Sequence, residues 1–332
     1  MQALIANRSA HVASFIGMIL ALGVPAAGGD GASDHSLLLD RRVMVLGDSI
    51  TQGGTYVSML AFELLRAFPL QHVDIISIGL SSETTSGLTE RIHPGARPCV
   101  LTRLDRALAE VNPELVIACY GMNDGIYLPL DPAREAAFHA GIQALVSRCL
   151  TANATVILLT PPVFDPTPYG TNVSQDDTGP GYTKPYARYD DVLTAYASWE
   201  TGLTLPHLVV VDLHREMAEF LARKRRDQPG FILASDGIHP GDLGHLVMAS
   251  AILRATGTVC PADPEAELGR LHADPLYSQV ATLRSLRSER WLPWSRGLSD
   301  RGPVDAVEAA VAVGMATIDR LRQPAGPGTG SH

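Results

Sequence analysis

Cysteine is scarce in this sequence: 332 residues hold four, Cys99, Cys119, Cys149 and Cys260. Four are too few for a disulfide-built scaffold. Cys119 lies in an apolar, strand-like run and reads as a small buried hydrophobe. Cys99 and Cys260 could pair in an oxidising compartment, but connectivity does not follow from sequence. There is no CxxC, no HExxH and no tight His/Cys cluster, so no metal site is expected. A basic stripe with interleaved aromatics is also missing, and the formal net charge is −9. Both features argue against a nucleic-acid partner. The one basic cluster, Arg223 to Arg226, ends a helical pattern and suits a solvated helix C-terminus. No internal repeat is visible.

Long apolar runs are equally rare. The single candidate, Val12 to Val24, is shorter than the roughly 20 residues that a membrane span needs. Arg8 and His11 precede it, and the small residues Ala26, Ala27, Gly28 and Gly29 follow it. That is the layout of a secretory signal peptide. Residues 1–27 are therefore expected to be a signal peptide and 28–40 a small-residue linker. The protein is expected to be secreted or periplasmic, with no stable membrane span. No cysteine follows the apolar run, so a lipid anchor is not suggested.

What the chain does contain is a regular alternation. Short, largely apolar runs at 43–46, 73–79, 114–120, 155–160 and 207–213 predict strands. Helical spacing predicts helices over 55–68, 101–111, 131–150, 186–200, 215–223 and 241–255, with Asp131 as an N-cap and Pro132 at the first helical position. Near-continuous apolar strands alternating with helices imply an α/β fold with a parallel sheet covered on both faces. Residues 163–184, dense in Gly, Pro, Tyr, Asp and Thr, predict one long loop of the functional kind. After 257 the character changes. A helical extension over 258–323 is expected, with helices at 274–291 and 303–322 docked by Trp291 and Trp294. A disordered tail, 324–332, would follow.

Four segments fall at predicted strand ends or just before a helix: Gly47-Asp48-Ser49-Ile50, Gly79 with its loop, Gly121-Met122-Asn123-Asp124, and Asp236-Gly237-Ile238-His239. Acyl transfer needs a nucleophile, a base, a group that orients the base, and donors for an oxyanion. Ser49 supplies a hydroxyl beside a helix N-terminus. His239 supplies an imidazole, the side chain that ordinarily titrates nearest neutral pH. Asp236, three residues earlier, can reach the other ring nitrogen. The Ser49 and Gly79 amides and the Asn123 side chain can donate to an oxyanion. Asp48 and Asp124 are expected to bond the backbone of their own turns. His245 reads as a packing or surface residue, and His93 as a loop residue near the cleft. Tyr127, Tyr169 and Tyr182, with Tyr186, could wall the cleft for a sugar or acyl group, or could simply anchor the loop.

Together the four segments resemble the SGNH/GDSL hydrolase family, over about residues 41–257. The resemblance implies a three-layer α/β/α sandwich with a five-stranded parallel sheet in flavodoxin-like order. It implies Ser49 as nucleophile, Asp236 and His239 as the rest of a triad, Gly79 and Asn123 as oxyanion donors, and neither metal nor cofactor. Two positions depart from the usual second block: Ser77 stands for Asn, and Ser82 for the second Gly. Thr51 two residues after Ser49 sets the first block apart from the Gly-x-Ser-x-Gly elbow. The expected activity is that of an exported serine ester hydrolase removing a small acyl group from a carbohydrate. The alternatives are a lipid-directed lysophospholipase or thioesterase, and a carbohydrate-binding module on the same scaffold. A small-molecule or glycan ester is the expected partner; the sequence leaves the oligomeric state open.

Overall fold

The computed structural model describes residues 36–258, 260 and 263–322. The signal peptide, most of the linker and the tail expected from the sequence lie outside them. In chain order the elements are β1 Arg42–Gly47, α1 Ser49–Gly53, α2 Thr55–Ala67, β2 Asp74–Ser77, α3 Leu104–Val111, β3 Leu115–Cys119, α4 Pro132–Thr151, β4 Thr155–Leu159, α5 Tyr189–Thr201, β5 Leu208–Val211, α6 Leu213–Asp227, α7 Asp242–Ala255, α8 Pro264–Ala273, α9 Pro275–Ser295 and α10 Gly302–Arg322.

The five strands form one sheet in the order β2-β1-β3-β4-β5, every neighbouring pair parallel. This is the flavodoxin-like order, which reverses direction between β1 and β3 and leaves a crevice at the carboxyl ends of those strands. Successive strand residues point to opposite faces. Val43, Val45, Ile117 and Ile157 pack under α2, α6 and α7 in one core. Met44, Leu46, Val116 and Leu158 pack under α3, α4 and α5 in the other. That division explains why the strands read as unbroken apolar runs: neither face meets water.

Asp131 caps α4 as its sequence suggests, accepting from the amides of Ala133 and Arg134. The segment expected as one helix over 101–111 is a 3-10 turn, Val100–Thr102, followed by α3. Helix α6 runs further than expected in both directions. Asp212 accepts from the Arg215 amide at its start, and basic residues complement the dipole at its end. The unexpected helix α8 begins with an Asp-Pro pair like that of α4: Asp263 accepts from the amides of Glu265 and Ala266. Residues 163–184 contain one short 3-10 turn, Thr167–Tyr169, and are otherwise loop.

Helices α8–α10 are built into the same cores. Leu271, Val280 and Ile318 are buried on the α2 side, Trp291 and Val304 on the other. Trp291 is 2% exposed and its Nε1 donates to Glu308 Oε1 at 2.7 Å. Arg287 forks onto the same carboxylate, with both hydrogen bonds at 2.7 Å. Arg106 packs on the Trp294 ring, 4.5 Å from its centroid. All four cysteines are free; the Cys99 and Cys260 thiols donate to the carbonyls of Thr85 and Ser250 instead. No helix among the described residues is long and apolar enough to cross a membrane.

Two outcomes follow from this packing. Trp291→Ala should cost about 3–5 kcal/mol in a urea or thermal melt, because it leaves a cavity and strips Glu308 of a donor. A loss well under 1 kcal/mol would show that α9 and α10 are not integral to the fold. The second concerns His245, which stacks on Tyr56 at 6.2 Å and whose Nδ1 has no partner among the described residues. Burial lowers its pKa from the ordinary 6.5 to about 4; nearby Asp242 opposes this shift and His239 adds to it. The native state therefore resists protonation. The His245 contribution is complete above pH 6.5 and is lost as pH falls towards 4, by about 3 kcal/mol. His245→Leu should flatten the stability profile across that window, and an unchanged profile would contradict this.

Candidate active site

Strand β1 ends at Gly47, and the chain turns at once into the short helix α1. Asp48 caps that helix, its Oδ1 accepting from the Ile50 amide at 3.0 Å. Ser49, the first helical residue, is half-buried and its Oγ lies 2.7 Å from His239 Nε2. His239 comes from the loop before α7, 190 residues later. Its Nδ1 lies 2.6 Å from Asp236 Oδ2, while Asp236 Oδ1 accepts from the amides of Ile238 at 3.0 Å and His239 at 2.8 Å.

This turn explains how residues three apart meet. The Asp236 side chain wraps its own loop, and Gly237 takes a φ of +76° at a point where a Cβ would meet the Asp165 carbonyl at 2.4 Å. Partial burial pushes the Asp236 carboxyl up, but the His239 ring and the two amides outweigh it and hold the group below the usual carboxylate range. The carboxylate is thus ionised and aimed at the imidazole. The His239 and Asp236 side chains are 46% and 51% exposed, so the dyad stands at an open rim.

Gly79 follows β2, pressed against the turn after Ser49: a Cβ there would sit 2.5 Å from the Gln52 amide nitrogen and 2.6 Å from the Thr51 carbonyl carbon. Only glycine lets the two backbones come this close. At the departure from the usual second block, Ser77 Oγ donates to the Thr51 carbonyl at 3.3 Å and so ties β2 to the same turn.

Asn123 follows β3 and is buried. Its Nδ2 lies 3.3 Å from both Asp48 Oδ2 and the Glu83 carbonyl, long contacts for a hydrogen bond. Its Oδ1 accepts from Arg97 Nη1 at 2.9 Å and from the Tyr127 hydroxyl at 3.0 Å. Asp48 does more than hold its turn. Burial raises its pKa to about 6 despite the Ile50 amide. Asp124 holds its own turn through the Gly121 amide, and also gathers Thr85 and Ser86 from the loop after β2.

Of the three tyrosines expected at the substrate, Tyr127 is not at an open wall. It is fully buried, stacked 4.8 Å from Tyr189, and spends its hydroxyl on Asn123. Tyr169 and Tyr182 are partly buried. Tyr169 Oη donates to the Tyr182 carbonyl at 3.4 Å, and its ring packs against Gly237 in the Asp236–His239 loop. His93 meets the Tyr182 ring edge-on at 6.2 Å. Arg225, expected in solvent with its basic neighbours, bridges Asp165 at 2.6 Å and the Phe231 carbonyl at 3.1 Å, and so braces the loop facing Gly237. The sequence reading missed two buried ion pairs in the loop after β2, Glu90–Arg97 and Glu83–Arg103. Their only trace is a set of oppositely charged residues in an aperiodic loop. Among the described residues no three His, Cys, Asp or Glu side chains gather as a metal centre would require.

Comparison with known proteins fits this geometry. A family model described as the GDSL-like Lipase/Acylhydrolase family matches residues 45–247. No curated protein matches the chain by sequence. Among solved structures, BT4096, a gut microbial diltiazem-metabolizing enzyme, is similar with a TM-score of 0.61 at 15% identity, covering 89% of this chain and 98% of that one. LAE5, an alpha/beta hydrolase from the metagenome of Lake Arreo in Spain, has a TM-score of 0.45 at 25% identity, covering 66% of this chain and 95% of its own. Axe2, an acetylxylan esterase from Geobacillus stearothermophilus, has a TM-score of 0.45 at 19% identity, covering 68% and 98%. The first shares the fold, and the match over residues 45–247 takes in the strand-end segments of Ser49, Gly79 and Asn123 and the Asp236–His239 loop. The chain belongs to the GDSL-like lipase/acylhydrolase family and is an ester hydrolase.

Proposed function

We propose that the chain is an exported serine esterase that removes a small acyl group, such as acetyl, from a carbohydrate. The observation that carries the chemistry is the continuous Ser49–His239–Asp236 chain, with links of 2.7 and 2.6 Å. His239 Nε2 takes the Ser49 proton as Oγ attacks the ester carbonyl. The carbonyl electron pair moves onto oxygen, where the Ser49 and Gly79 amides and Asn123 Nδ2 receive it. The oxygen–acyl bond of the leaving alcohol then breaks, and His239 returns the proton to that alcohol. Water enters, loses a proton to His239 and attacks the acyl-serine. As the second tetrahedral species collapses, its bond to Ser49 Oγ breaks, the acid leaves, and His239 returns the proton to Oγ. Asp236 stays ionised throughout, fixes the ring tautomer and stabilises the imidazolium.

The half-exposed dyad supports a small acyl group on a large polar partner, because such a partner can remain in solvent while only the ester enters. The polar, tyrosine-bearing loop 163–184 beside the triad supports a sugar face. The apolar run and small residues within 1–27 support export.

Purified parent, Ser49→Ala and Asn123→Ala proteins, with matched melts, test this on p-nitrophenyl acetate. Ser49→Ala should fold and be inactive, and equal activity in the two proteins would remove Ser49 as nucleophile. Asn123→Ala should lower kcat roughly a hundred- to a thousand-fold, and near-normal turnover would remove its role. Rates should fall from acetate to long-chain esters, and acetylated xylooligosaccharides should release acetate. A preference for long chains would reject the carbohydrate reading in favour of a lipid-directed esterase.

A further inference from the structure

Arg97 is a buried cation in contact with Asn123. It lies in the loop after β2, is 5% exposed, and forks onto Glu90, with Nε donating to Oε2 at 2.6 Å and Nη2 to Oε1 at 2.5 Å. Its remaining terminal nitrogen, Nη1, donates to Asn123 Oδ1 at 2.9 Å and to the Ser82 carbonyl at 3.3 Å. The guanidinium also lies 5.6 Å from the centre of the Tyr127 ring, whose hydroxyl donates to the same Oδ1. A paired cation and a phenol thus converge on the carbonyl end of one amide whose other end faces the nucleophile turn.

We propose that Arg97 is a positioning residue that makes Asn123 a stronger oxyanion donor. Two physical effects support this. The first is geometric. An amide side chain can flip, and a flipped Asn123 would present an acceptor to the developing oxyanion. With Oδ1 held by two donors, one of them charged, Nδ2 is turned towards Asp48 Oδ2 and the Glu83 carbonyl, and its contacts there, at 3.3 Å, are long enough for one N–H to shift to the oxyanion. The second is electronic. Donation from a guanidinium to Oδ1 draws electron density through the amide, so its N–H bonds become more polar and donate better to negative charge. The benefit grows as charge builds on the substrate oxygen, so it appears in the transition state more than in the bound ester. Glu90 keeps the guanidinium ionised and fixes its plane. Because the pair is buried, its field at Asn123 is little screened by water. The inference rests on Asn123 being an oxyanion donor.

A double-mutant cycle tests it. Removing Arg97 alone would strand a buried carboxylate, so the variant is Glu90→Gln with Arg97→Met. It is measured on p-nitrophenyl acetate in the parent and in the Asn123→Ala background, with Ser49→Ala as the control. In the parent background kcat should fall roughly 10- to 100-fold with KM little changed. In the Asn123→Ala background the same pair of substitutions should have almost no further effect, since the group through which Arg97 acts is gone. A brace that merely orders the loop would give equal losses in both backgrounds, and that result, or an unchanged kcat, overturns the proposal. Should the double variant fail to fold, Arg97→Lys and Tyr127→Phe are measured in the same two backgrounds. Each should lower kcat in part, and only where Asn123 is present; an equal loss without Asn123 overturns the proposal here too. If Ser49→Ala retains full activity, it is the nucleophile assignment that fails, separately from the role of Arg97.

Discussion

The side-chain amide of Asn123 is held firmly at its oxygen and met more loosely at its nitrogen. Asp48, just past β1, and the Glu83 carbonyl meet its nitrogen; Arg97 and Tyr127 meet its oxygen. Those partners come from the loops after three different strands, so a single planar group sets the distance between them. A second buried fork does the same work one layer deeper. Arg103 donates to both Glu83 oxygens at 2.6 Å and to the Ile78 carbonyl at 2.8 Å, and Tyr120 donates to Glu83 at 2.7 Å. Gly79 lies inside that bracket. Buried ion pairs add little net stability once desolvation is counted. What these contribute is shape: the loop after β2 has no regular structure of its own, yet its backbone must lie against α1 to within a methyl group.

Rigid scaffolding at the back contrasts with openness at the front. Asn123, Asp48 and Tyr127 are sealed from water, whereas His239 and Asp236 stand about half in solvent. A dry, fixed setting strengthens the hydrogen bonds around Asn123, while the imidazole of His239 is open to solvent.

The framework was legible because it rests on local patterns. Apolar runs of strand length, Gly at the strand ends and the Asp-Pro cap at 131–132 each have a direct physical reading. So does the loop of Asp236 and His239: the two are three residues apart, and a side chain that bonds its own turn brings them together. Ser49 then needed only the parallel topology, which sends the ends of β1, β2 and β3 to one side. The support around Asn123 was not legible. Glu90, Arg97 and Glu83 sit among polar residues with no periodicity, where charged side chains ordinarily point to water. Their burial arises only when Asp124, the turn after β3 and the loop after β2 close over them. Tyr127 and Arg225 misled for the same reason: a ring and a cation in loops look exposed until a partner distant in sequence arrives. Helix α8 was missed although Asp263-Pro264 repeats the signal seen at 131–132, because the acidic, Gly- and Pro-bearing stretch around it masked the pattern.

One contact made by α9 reaches beyond packing. Strand β2 is the last in the sheet, and alternate carbonyls along it face away from β1. Arg287 donates to one of these, Ile75 O, at 3.2 Å, while it also pairs with Asp74 at 2.6 Å and with Glu308. A sheet margin left bare is a template for another chain to add a strand, and folds blunt it with charge or cover. Here an arginine from a helix beyond the family-matched residues occupies the hydrogen-bonding row itself, with its charge neutralised on both sides. Helix α9 thus covers the margin of the sheet at which a further strand would add, and takes one of the carbonyls that such a strand would need.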